Sequence, residues 1–106
     1  MANNSSGFGH THLVNKQYCL AAGQGQDFTN ASNGTTAVGI CSDLKSDTAF
    51  AVGNGVYSAS GASIRSNAFE VTIDGGIIVP SSTSGSTKKF KITVDDSRVI
   101  SATEVA

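Results

Sequence analysis

Thr36-Ala37-Val38-Gly39 returns fourteen residues later as Phe50-Ala51-Val52-Gly53-Asn54-Gly55, and this recurrence decides how the chain is read. Two earlier triplets close on a glycine in the same way, Gly7-Phe8-Gly9 and Ala21-Ala22-Gly23. The four glycines are therefore separated by 14, 16 and 14 residues. A near-constant step with a recurring triplet is the signature of stacked coils. A coil this short cannot bury its own apolar face, so it must stack on neighbouring coils or on other chains.

Aligned on their glycines, the repeats place Phe8, Ala22, Val38 and Val52 one residue before, and Gly7, Ala21, Ala37 and Ala51 two residues before. One column is apolar and the other is cramped. Five residues after the glycine, Val14, Phe28 and Leu44 form a second apolar column. The pattern predicts two short strands per coil, with the residue before the glycine and the residue five after it as two inward anchors. The connecting Asn, Ser, Thr, Gln, Asp and Gly residues favour turns through local side-chain bonds or positive φ. Helix is disfavoured by this composition and by the lack of a sustained three-to-four apolar spacing. Gly9, Gly23, Gly39 and Gly53 are expected where φ is positive or where coils approach closely.

Composition bounds the molecule further. With 106 residues, 12 Gly, one Pro, no Trp and a formal charge of -1, the chain is one modest all-β domain without a large private core. Near-neutral charge argues against a nucleic-acid partner. The one basic cluster, Lys88, Lys89 and Lys91, alternates with Phe90 and Ile92 as a solvated strand face would. No apolar run is long enough for a signal core or a membrane span, which predicts synthesis in the cytosol and no membrane insertion. Cys19 and Cys41 fall at different repeat phases, so both are expected as small buried thiols and not as a disulfide.

The composition changes after Ser63, which divides the chain into repeats (1–65) and a closing segment with a strand meander (66–106). Ala68 to Ile73 alternates Phe69, Val71 and Ile73 against Glu70 and Thr72, and Asp74-Gly75-Gly76 turns the chain into Ile77-Ile78-Val79. That is a hairpin signal. Ser81-Ser82-Thr83-Ser84-Gly85-Ser86-Thr87 reads as a flexible loop. Lys89 to Val94 puts Phe90, Ile92 and Val94 on one face, and Asp95-Asp96-Ser97-Arg98 leads into a last strand, Val99 to Val105. Strands with one bare apolar face need cover, and an open edge invites association. Phe8, Ala22, Phe28, Val38, Leu44, Val52, Phe69, Val71, Phe90 and Ile92 are thus the expected core and inter-chain anchors, many of them buried across chains.

Across roughly residues 5 to 71 the Ala-Val-Gly triplets resemble the head repeats of trimeric autotransporter adhesins and of related phage fibre proteins. Arg65-Ser66-Asn67-Ala68-Phe69-Glu70-Val71 is similar to the segment that closes such repeats. The tail, Thr87 to Ser97 followed by Ile100 to Glu104, resembles the C-terminal ends of small phage and prophage structural proteins. The resemblance implies a homotrimer of left-handed parallel β-rolls followed by a short antiparallel meander, at the surface of a virion or phage-like particle. Other particle proteins and a host surface polymer would be its partners. The chain departs from the adhesin pattern in its sixteen-residue middle step and in carrying His10 and His12.

Those histidines are the sharpest chemical motif. Residues two apart on a strand point to one side, so His10-Thr11-His12 is the only candidate metal pair; exposed histidines near a terminus are the alternative, and no metal or cofactor is expected. Gly23-Gln24-Gly25 and Gly53-Asn54-Gly55 lack the helix and lysine of a phosphate loop. No serine stands in a nucleophile elbow, and Asp27, Asp43, Asp47, Glu70 and Asp74 read as turn acids rather than a glycosidase pair. No enzyme activity is expected. Three readings stay open: a structural or attachment protein whose loop 81–87 contacts the host, a glycan-binding module using Asn, Gln, Tyr18 or Tyr57, and a polysaccharide-degrading enzyme.

Overall fold

A computed structural model describes residues 4–61 and 63–105, and every regular element among them is a β-strand. Eight strands follow in chain order: β1 (Ser6–His10), β2 (Leu20–Gln24), β3 (Thr36–Ile40), β4 (Thr48–Asn54), β5 (Asn67–Thr72), β6 (Ile77–Pro80), β7 (Lys89–Val94) and β8 (Ile100–Val105). They form one sheet whose spatial order is the chain order. The first four are parallel and in repeat register, with Gly9 beside Gly23 and Gly39 beside Gly53. This is a solenoid-like stack of about four turns. From β4 onward each pairing is antiparallel, so the stack continues as a meander without leaving the sheet. Two register shifts in the β4–β5 pairing, at Ala49 and Ala68, absorb the change of direction.

Glycine recurs at the end of each coil strand because nothing larger fits. Gly9, Gly23 and Gly39 have φ of +109°, +103° and +91°, and a Cβ on any of them would lie 1.9 to 2.3 Å from the next coil's glycine carbonyl oxygen. Gly53 has no positive φ, yet a Cβ there would stand 2.5 Å from Ile40 O. Two residues further on the corner turns through the left-handed region at Thr11, Gly25 and Cys41.

The interior is narrow. Ala21, Ala37 and Ala51 face Val14, Phe28 and Leu44 across it, joined by Cys19 and Ala31. The second expected anchor column is therefore inside, but the first is not: the inward residue is the alanine two before the glycine. Phe8, Ala22, Val38 and Val52 point out of the other face of the sheet, and Phe8 is 64% exposed. An alanine column is what lets the return segments lie close against the strands. Those return segments also correct the expectation of a second strand per coil, since among the described residues they contribute one parallel bridge, Leu13 to Asp27. The two extra residues of the middle coil are taken up in a turn at Asn33 and Gly34, outside the stack, where Asn33 Oδ1 accepts from Gln17 N and Gly34 N donates to Gln17 O. Cys19 and Cys41 are both buried free thiols.

Residues 66–105 and the repeats before them share the one sheet. The turn at 72–77, the loop at 81–87 and the turn at 95–98 fall where the sequence puts them. The middle loop is a hydrogen-bonded turn and not an open one: Ser81 N donates to Lys88 O, Ser86 N to Thr83 O, and the Ser81 and Ser86 hydroxyls accept from Thr83 N and Lys88 N. Among the described residues no helix is long and apolar enough to cross a membrane.

Candidate functional site

His10 and His12 do not share a side. Thr11 turns through φ +63°, which ends β1 and sends the two rings apart. His12 Nε2 donates to Phe8 O (2.7 Å), and Nδ1 accepts the Gln26 N–H (3.2 Å), so both ring nitrogens are occupied. The same bonds recur one coil on. Gln26 Nε2 donates to Ala22 O and Gly39 O, while its Oε1 accepts from Ser42 N; Ser42 Oγ then donates to Val38 O. His12, Gln26 and Ser42 thus form a polar ladder, in which His12 and Gln26 each tie their own strand to the next coil and Ser42 bonds back to its own strand. The ladder position lies three residues after each glycine, so the repeat alignment carried the signal. His10 bonds to Thr11 Oγ1 through its ring and stands edge-on to Tyr57, with ring centroids 6.4 Å apart. Among the described residues no three His, Cys, Asp or Glu side chains gather as metal ligands would.

The ladder is closed by Arg65 and Asn67. Asn67 Oδ1 accepts from Asp43 N and its Nδ2 donates to Asp43 O, both at 2.7 Å, satisfying backbone that a fifth coil would otherwise meet. Arg65 Nη1 reaches Gly25 O at 2.8 Å and Ser42 O at 3.3 Å, bracing two coils at once. The acids hold local structure. Asp27 and Asp95 accept turn N–H groups, Glu70 Oε1 accepts from buried Thr48 Oγ1, and Asp43 faces Lys45 and Lys89. Asp74 accepts from Lys91 Nζ (2.7 Å), Thr72 Oγ1 and Gly76 N, which hold its carboxyl at about 2, below the usual 3.8.

The largest unpartnered feature is one face of the sheet. Pairing register carries Phe8, Ala22, Val38, Val52 and Phe69 along one row of that face. Phe50, Val71, Ile77 and Ile92 lie on the adjacent row, and Val79 and Phe90 continue the first. Phe50 and Phe69 meet edge-on at 6.4 Å. In the coil half the opposite face is the packed interior; in the meander it carries Lys89, Lys91, Thr93, Ser101 and Thr103. The burial pattern of β5 therefore inverts the usual sense: Glu70 and Thr72 are buried, whereas Phe69 and Val71 are only half-buried and Ile73 is 62% exposed. Phe90 and Ile92 are half-buried, and Val94 and Ile100 more than half exposed. The expected anchors thus divide into two sets: Phe28 and Leu44 inside the chain, and Phe8, Ala22, Val38, Val52, Phe69, Val71, Phe90 and Ile92 together on this outer face.

Compared with protein-family models, with curated proteins and with solved structures, the chain matches none.

Proposed function

We propose that the chain is a structural and attachment protein: a homotrimer whose left-handed coils stack into a short stiff fibre or appendage at the surface of a phage or phage-like particle. The observation that carries this reading is the apolar row on one sheet face from Phe8 in β1 to Phe90 in β7, with a second row beside it from Phe50 to Ile92. A sheet face of Val, Ile and Phe is stable in water only when another layer covers it, and among the described residues no further element does so. Closed rotation of identical copies covers such a face on every copy at once. Stacked coils satisfy their backbone hydrogen bonds turn by turn, which makes the product rigid along the stack.

In this reading the fibre does no covalent chemistry of its own. The repeats and their closing segment resemble those of phage fibres and adhesin heads, and the tail resembles phage structural proteins. In this reading the C-terminal meander and the 81–87 loop face the host. A glycan-binding or adhesin head module is the second reading, and the same loop would serve it. Electron microscopy of assembled particles carrying a tag after Ala106 tests the proposal: label at the distal tip is the expected result, and absence of the chain from particles would remove the fibre reading.

A further inference from the structure

We propose that the cleft between the closing segment and the 81–88 turn is a binding site for an anionic group, phosphate or carboxylate, carried on a sugar or polyol polymer. The cleft has a volume of about 340 Å³, within the range of sites that hold a sugar-sized ligand. It is lined by Arg65, Lys88 and Lys89 together with the hydroxyls of Ser66, Ser86 and Thr87.

How each cation is held supports a ligand. Arg65 commits Nη1 to Gly25 O and Ser42 O, which fixes the guanidinium plane, and among the described residues no protein bond occupies its other N–H groups. A planar fork held in this way suits the paired oxygens of phosphate or carboxylate. Lys89 stands 3.6 Å from Asp43 and Lys88 stands 3.9 Å from Glu104, both beyond hydrogen-bond length. Lys91, by contrast, is 2.7 Å from Asp74 and is spent. The Ser86 hydroxyl accepts from Lys88 N, so its own proton remains to be donated.

The rest of the lining selects the carrier. Ile64, 63% exposed, and Pro80 offer small apolar surfaces to C–H groups, and no aromatic ring lines the cleft on which a nucleobase would stack. Pro80 and Lys89 pair with each other on the sheet face opposite Val79 and Phe90, so this wall of the cleft stays clear when copies cover the apolar face. The inference names a ligand for the host-polymer contact proposed above and rests on that reading only for the origin of the polymer.

Titration of the full chain with inorganic phosphate, followed by amide chemical shifts, tests the site; poly(glycerol phosphate) and polygalacturonate then separate the two anion sources. Saturable, salt-sensitive shifts at Ser66, Thr87 and Lys88 are expected, with tighter binding to one of the polymers. Lys88→Gln, an exposed position, should weaken binding about tenfold by removing one charge-assisted contact, and Thr87→Val should weaken it on the same amides. No saturation, shifts unchanged in both variants, or equal binding of an oligodeoxynucleotide would overturn the site. The measured mass in the same samples keeps the two proposals apart: a monomer that binds refutes the trimer alone, and a trimer that does not bind refutes the cleft alone.

Discussion

Adding one methyl group at Gly39 probes the coil stack where it is tightest. The backbone there has φ +91°, and a Cβ would come within 2.3 Å of Gly53 O and 3.1 Å of Gly53 N. Two costs arise. Holding an L side chain at positive φ is worth about 1–2 kcal/mol. Forcing two backbones apart adds about 1–3 kcal/mol, since neither strand can yield without loosening the β3–β4 ladder. Gly34 is the internal control, because it has φ +84° but nothing within 4 Å of a Cβ. Gly34→Ala therefore carries the first cost alone. For a domain of this size each kcal/mol moves Tm by about 4 °C or more. By calorimetry Gly34→Ala should melt roughly 4–8 °C below the parent and Gly39→Ala about 8–20 °C below it. Two variants melting within 2 or 3 °C of each other, an order-of-magnitude margin set by the same scale, would refute the claim that coil contact, and not backbone conformation alone, demands glycine.

Asn67→Ala should leave Asp43 N and O without partners and destabilise the chain by about 2–3 kcal/mol; hydrogen exchange would show the Asp43 amide losing protection before those of β2, and unchanged protection would deny the capping role. Asp74 sets a pH dependence: its folded carboxyl lies at about 2 against 3.8, so its contribution is fully present above 3.8 and is lost as pH falls through about 2. Asp74→Asn should flatten the acid limb of the unfolding curve in that window, and an unaltered limb would show that the Lys91 and Thr72 contacts do not form.

The glycine step makes the coil stack legible because parallel strands place equivalent residues side by side, and Gly39 meets Gly53 where the repeat puts it. Hairpin and loop positions in the meander are legible for a similar reason, since Asp74-Gly75-Gly76 and the Ser-rich 81–87 segment have few other uses. What alternation does not contain is sense. Val52 and Ala51 differ in period from nothing but each other, and only the closeness of the return segments selects the alanine for the inside. Phe69 and Val71 against Glu70 and Thr72 are a regular two-residue alternation, yet the polar side is the buried one. Such an inversion is invisible in one sequence when both faces of a sheet are destined for cover. His12 is hidden from alternation for a different reason: Thr11, with φ +63°, ends β1, and the His12 ring joins the ladder with Gln26 and Ser42.

The account depends on the outer apolar face being covered by other copies of the chain, and native mass measurement at micromolar concentration reads this directly. One chain has a mass of 10.8 kDa. A single species of three times that mass is the predicted result, with Val52→Glu or Phe90→Glu shifting it toward one chain because either would place a charge in the covered face. A species of one chain, soluble and folded at that concentration, would contradict the account.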